Sequence, residues 1–167
     1  KALIVQLRRE TAKEDEKKYL IGFNNSRFDN FILFEDAVRT SMSVTNALFA
    51  GNSILSMNID CFIVRDLHRM LMTSLKNACK SFGCTIGKSY LDHDEVQHAY
   101  MLGKEYFEYF LRDKREEIYA YVSQDSESLA ELFFKAQKAF KETSNLIIEN
   151  HNTIASLTYR AFISNMP

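Results

Sequence analysis

Between residues 115 and 141 the apolar side chains Ile118, Tyr121, Val122, Leu129, Leu132, Phe133 and Ala136 return at helical spacing, and this run constrains the fold more than any other feature of the chain. A stripe of that length predicts one long helix whose apolar face must be buried against another element. The only proline is the last residue, Pro167, so no imino ring interrupts this helix. The same holds for the two helical runs before it, residues 71–81 ending at Phe82-Gly83 and the aromatic segment 96–111. The first part of the chain reads differently. Residues 19–23 form a short apolar run that stops at Asn24-Asn25, the pattern of a buried strand meeting a turn, and residues 28–38 follow as a helix. Residues 48–50 and 54–57 flank Gly51-Asn52 as a hairpin, and the β-branched stretch 59–64 predicts a further strand. Strands followed by helices predict an α/β or α+β sheet domain with a helix-rich second half.

Composition narrows the function classes. With 167 residues, 46% of them hydrophobic, the chain can bury one ordinary core. Its 21 basic and 22 acidic residues nearly cancel, so any DNA contact must be local rather than driven by an overall field. The mixed-charge run over residues 8–18 reads as a solvated connection. No apolar run approaches the ~20 residues that span a bilayer, so no membrane partner is expected. The cysteines Cys61, Cys79 and Cys84 are odd in number and lack paired spacing, which favours free thiols over a disulfide framework or a zinc site. Residues 2–7 read as the tail of an element already under way, so the chain is expected to be a fragment.

Two places could carry chemistry. In the long helix Asp125 falls within the apolar stripe, and a buried carboxylate costs several kcal/mol unless it is paired, protonated or bound to a cation. Tyr121 lies one turn before it on the same face, so the two could hold a metal ion and orient a water. The plainer alternative puts Asp125 at the edge of the stripe, in contact with solvent. The second place is Gly22-Phe23-Asn24-Asn25-Ser26-Arg27-Phe28-Asp29, a strand end running into a helix start, where α/β sheets place catalytic groups. Here Ser26 and Asp29 also fit a capping box, which alone would explain both.

Asn25-Ser26-Arg27-Phe28-Asp29 resembles the second exonuclease motif of family B DNA polymerases, and Tyr121-Val122-Ser123-Gln124-Asp125 resembles the third, in the family's order. Between them Thr85-Ile86-Gly87-Lys88-Ser89-Tyr90-Leu91 is similar to the segment of the protein-primed branch, phage and linear-plasmid enzymes, whose lysine reaches the scissile phosphate. The resemblance covers roughly residues 19–135. It implies an RNase H-like exonuclease fold, truncated at its N-terminal strands, that removes 3'-terminal nucleotides from single-stranded DNA with two Mg2+ or Mn2+ ions about 3.5 to 4 Å apart. By the same resemblance Asp29 and Asp125 hold the metals, Tyr121 orients the nucleophilic water, Lys88 touches the phosphate, and Asn25 and Phe28 contact the primer end. The complete polymerase would use deoxynucleotides and a terminal protein primer. Residues 1–142 would form the nuclease module and residues 143–167 the segment leading to the palm, since residues 154–162 are similar to that junction in plasmid-type enzymes. The source is left open between a mitochondrial linear plasmid and a viral or cytoplasmic replicon.

The chain departs from the family pattern at its start. No Asp-x-Glu precedes Asn25, so weak metal binding, little nuclease activity from the chain alone and an exposed sheet edge are expected. The stretch 89–115 is longer than in the compact phage enzymes and has no assigned role. Two rival readings stand: a free-standing metal-dependent exoribonuclease, and a catalytically dead remnant that binds single strands or a partner. His68, His93, His98 and His151 form no convincing ligand set, although Asp92-His93-Asp94 could chelate weakly. Phe107, Phe110, Tyr119 and Phe133 are expected in the core rather than on a base-stacking platform.

Overall fold

The computed structural model describes residues 6–7, 17–85 and 91–164, and Lys88 lies outside them. Four strands, β1 (Lys18–Gly22), β2 (Val44–Ala50), β3 (Ser53–Ile59) and β4 (Phe62–Asp66), form a mixed sheet in the order β1-β4-β3-β2. β4 pairs in parallel with β1 and antiparallel with β3, which pairs antiparallel with β2. The helix α1 (Asp29–Arg39) and the β2–β3 hairpin lie between the two parallel strands in sequence. β4, flanked on both sides, buries Phe62, Ile63 and Val64 in succession, as a strand covered on both faces does. β2, at the edge, leaves Leu48 and Phe49 exposed.

The predicted hairpin is present, turning at Gly51-Asn52 with Gly51 at φ 53, a conformation glycine adopts without a Cβ clash. The stretch 59–64 is not one strand. Ile59 closes β3, and Asp60-Cys61 turn the chain into β4 with Asp60 at φ 49. Asp60 can sit there because its carboxylate accepts from Ser43 N at 3.0 Å while its own N–H donates to Ser43 O at 2.9 Å. Ala37, Ile54, Met57, Ile59, Phe62 and Val64 make the buried centre, with Leu20, Leu33 and Phe34 packed against it.

The helical part is more broken than the sequence suggests. The run 71–81 divides into α2 (His68–Leu71) and α3 (Leu75–Ser81), because Met72 takes a left-handed conformation that caps α2. The run 96–111 divides into α4 (His93–Met101) and α5 (Lys104–Asp113) at Gly103, φ 104. The long helix is continuous as α6 (Arg115–Ser144), and α7 (Ile154–Ser164) follows. Phe110 is buried and Phe107 and Phe133 are half-buried, but Tyr119 is 71% exposed and lies outside the core. It sits off the apolar stripe, one position past Ile118.

The chain forms two compact units, one containing residues up to 74 and from 137 onward, the other Leu75–Ala136. In the first, Ile148 is buried, its N–H donating to Gln137 Oε1 at 2.8 Å. Arg65 Nε donates to Glu149 O at 3.2 Å and the Tyr19 hydroxyl to Asn150 Oδ1 at 3.2 Å, tying this segment to β4 and β1. Burial lowers the basicity of Arg65, partly opposed by Tyr19.

Next to this segment, His151 Nδ1 lies 3.1 Å from Ser156 Oγ. Burial, and then the charge of Arg160, hold its imidazole below its ordinary pKa of 6.5. A base depressed on folding binds its proton more readily in the unfolded chain, so its contribution is present above about pH 6.5 and is lost as pH falls through that value. The melting temperature is therefore expected to drop between pH 7.5 and 5.5, and to drop less in His151→Asn; thermal melts of both proteins across that range check it.

Candidate functional site

The first candidate site is built where β1 ends. Asn24 takes a left-handed conformation at φ 61, a short 3-10 turn covers Asn25–Arg27, and Phe28 leads into α1. This turn is organised by Asp66, the last residue of β4, which lies opposite Gly22 in the parallel register. Asp66 is 4% exposed. Its Oδ1 accepts from Asn24 N at 2.7 Å and from His68 N at 3.0 Å. Its Oδ2 accepts from Ser26 N at 3.2 Å and from the Ser26 hydroxyl. Four donors occupy the lone-pair directions of one carboxylate, so Asp66 is a strut of the turn and is not available as a metal ligand.

The capping box does not form. The Ser26 N–H that Asp29 would have accepted is taken by Asp66, and Phe28 stands at the N-cap of α1 without a side-chain capping bond. Asp29 is instead solvent-exposed in the first turn of α1, where the helix dipole favours a negative charge. Phe28 beside it is 71% exposed. Asn25 is buried: its Nδ2 donates to Asn30 Oδ1 at 2.9 Å and to Arg65 O at 3.2 Å, and Asn30 Nδ2 passes the chain on to Ile54 O at 2.7 Å. Asn25 Oδ1 is buried without a hydrogen-bond partner, so this amide has one acceptor uncommitted.

Gly22 makes the arrangement sterically possible. A Cβ there would stand 2.5 Å from Asn25 Cγ, closer than side-chain atoms approach. Gly22→Ala is expected to displace Asn25 from both of its donor contacts and to lower stability by about 1 to 3 kcal/mol. Urea unfolding checks the magnitude, and loss of the slow exchange of the Asn25 side-chain amide checks the cause.

The second candidate site belongs to the Leu75–Ala136 unit. Tyr121 and Asp125 lie one turn apart on α6, both half-buried, and the ring of His93 stands edge-on to that of Tyr121 with centroids 6.2 Å apart. Asp125 Oδ1 is buried and has no hydrogen-bond partner. The residue as a whole is half-buried, so the stripe-edge reading and the buried-acid reading each describe part of it. Asp92, expected as a weak chelator with His93 and Asp94, is the N-cap of α4, accepting from Asp94 N at 3.0 Å and Glu95 N at 3.2 Å. Among the described residues no three His, Cys, Asp or Glu converge as a metal-binding group. No helix among them is long and apolar enough to cross a membrane.

Asn25, Phe28 and Asp29 thus gather at one turn of the sheet unit, and Tyr121 and Asp125 on one helix of the other unit. The sequence reading missed Asp66 and Asn30, which shape the first of these sites. A signal was present for Asp66, an acid at the end of a β-branched strand two residues before a helix, where Asx turns form.

The sheet unit thus carries a turn held by a buried acid, and the other unit a helix with a Tyr and a half-buried Asp one turn apart. The family comparison gives the class: the profile for DNA polymerase type B, organellar and viral, matches residues 10–167. The chain belongs to the organellar and viral type B DNA polymerases, a family whose substrates are DNA and deoxynucleotides. No curated protein and no solved structure matches it significantly.

Proposed function

We propose that this chain carries the proofreading 3'-to-5' exonuclease module of a protein-primed type B DNA polymerase. In this reading the module is RNase H-like and spans residues 1–142, with residues 143–167 leading toward the palm. The observation that carries it is the Asp125 carboxylate, one of whose oxygens is buried without a partner one turn from Tyr121. An unsatisfied buried acceptor costs about 1 to 3 kcal/mol, a cost that binding a cation offsets. Family membership and the order of the two motifs support the same reading.

Asp125 fits a ligand role by its uncommitted oxygen, and Asp29 by its exposed carboxylate. Divalent ions such as Mg2+ or Mn2+ supply charge stabilisation to the attacking and leaving oxygens of the phosphodiester. Tyr121 orients the attacking water, and Lys88 meets the phosphate. At the primer end Phe28 offers an exposed ring on which a base can stack, and Asn25 Oδ1 can accept from a hydroxyl or a base N–H. A terminal protein as primer belongs to the same proposal.

The test follows a 5'-labelled single-stranded DNA and a matched RNA incubated with Mg2+ and the complete polymerase, beside the chain alone. The DNA is expected to shorten from its 3' end with the complete enzyme and hardly at all with this chain, which has no Asp-x-Glu before Asn25. Faster shortening of the RNA would replace the proposal with an exoribonuclease. Retention of the DNA without cleavage by the complete enzyme would replace it with a binding remnant.

A further inference from the structure

The end of α3 brings two thiols together. Cys84 N donates to Cys79 O at 2.8 Å and Gly83 N to Lys80 O at 3.2 Å, with Gly83 left-handed at φ 64. These two bonds are the Schellman motif, in which the residue three before the C-cap and the residue two beyond it meet side chain to side chain, usually as an apolar contact. Here both are cysteines, so the motif places the Cys79 and Cys84 side chains at one turn.

The turn that carries Cys84 is clamped from α6. Thr85 donates to Glu131 through its backbone N–H at 2.8 Å and its hydroxyl at 3.0 Å. Lys135, paired with Glu131 at 2.9 Å, donates to Gly83 O. Cys79 is buried, its sulfur 3.9 Å from Ser128 O, whereas Cys84 is half-buried. A disulfide needs Cα atoms about 4.4 to 6.8 Å apart, a span compatible with two residues joined by a backbone hydrogen bond.

We propose that Cys79 and Cys84 form a dithiol site that a peroxide oxidises reversibly to an intramolecular disulfide. The more accessible Cys84 thiolate attacks a peroxide oxygen; the O–O bond breaks, hydroxide leaves and takes a proton as water, and Cys84 becomes a sulfenic acid. The sulfur of Cys79 then attacks the Cys84 sulfur. The S–O bond breaks, and the departing hydroxide takes the Cys79 proton to give a second water. Two thiols and one hydrogen peroxide thereby yield one disulfide and two waters. The division of roles follows from accessibility, since Cys79 is buried and Cys84 is half-buried. The proposal does not rest on the nuclease reading, although the upward push on the Cys79 thiol, due first to burial, also draws on the Asp125 carboxylate.

The experiment treats the whole chain with one equivalent of hydrogen peroxide, alkylates it under denaturing conditions and maps it after trypsin, which cuts at Lys80 between the two cysteines. Two of the three thiols should be lost, Cys61 should remain alkylated, a linked peptide pair should join Cys79 to Cys84, and dithiothreitol should restore both. In Cys79→Ser the sulfenic acid on Cys84 should persist roughly tenfold longer and be trapped by dimedone. If burial makes that variant fold poorly, Cys84→Ser, at the half-exposed position, should protect Cys79 from peroxide. Bridges through Cys61 or between chains, or oxidation of Cys84 beyond the sulfenic acid with Cys79 still free, would overturn the proposal.

Discussion

Asp66→Ala is expected to lower the unfolding free energy of the sheet unit by about 3 to 5 kcal/mol, the range found when one partner of a buried, charge-assisted network is removed. The reasoning rests on what is left behind. Truncation strands three backbone N–H groups, those of Asn24, Ser26 and His68, together with the Ser26 hydroxyl. The two Ser26 donors lose their acceptor in the interior, those of Asn24 and His68 at a partly buried position. Asp66→Asn keeps one acceptor oxygen and should cost less, about 1 to 3 kcal/mol, because an amide nitrogen cannot accept from Ser26 N. Urea titration of the three proteins gives the order, and amide exchange at residues 24, 26 and 68 should accelerate in Asp66→Ala before the rest of the sheet opens. Equal stability of all three would mean that the turn is held by other contacts.

Asp125→Ala should have the opposite sign. Its buried oxygen has no partner to strand, so its removal is expected to leave stability unchanged or raise it by about 1 kcal/mol. In the complete polymerase the same variant should lower the rate of 3'-nucleotide release by at least about 100-fold, the scale seen when one preorganised electrostatic contact is removed from a reacting phosphate or carbonyl. DNA synthesis should persist, since the nuclease reading places Asp125 outside the polymerising chemistry. Thermal melts and a single-turnover assay on single-stranded DNA measure the two effects separately. A variant that lost stability and nuclease together would place Asp125 among the structural acids, beside Asp66.

The contrast between these two carboxylates also describes how much could be read from the sequence. Periodicity was enough for α6, and the turn pair Gly51-Asn52 between two apolar runs was enough for the β2–β3 hairpin, because both are signals carried by neighbouring residues. Asn25, Phe28 and Asp29 stood out as a short motif, and the structure gathers them at one turn. What failed was the non-local part. Ser26 and Asp29 matched a capping box, yet the acceptor Ser26 uses comes from Asp66, forty positions along the chain. Breaks inside apparently continuous elements were hidden for a related reason. Gly103, Met72 and Asp60 adopt positive-φ conformations that a hydrophobic pattern does not report, and Met72 is of a type that rarely does so. The aromatic-rich stretch 96–111 read as one helix because both halves share the same composition, and the kink between them rests on one glycine.

The dependence of the Asn25 turn on Asp66 has a consequence for the order in which this protein can acquire its working form. The β2–β3 hairpin and α1 are local and can form early, but the turn takes its shape only after β4 has docked beside β1, a parallel pairing that closes a long loop. A chain that has collapsed without completing that pairing holds the motif residues in sequence and not in space. Assembly of the sheet is therefore the step that gives this turn its shape, and a partly unfolded molecule holds the same residues without it.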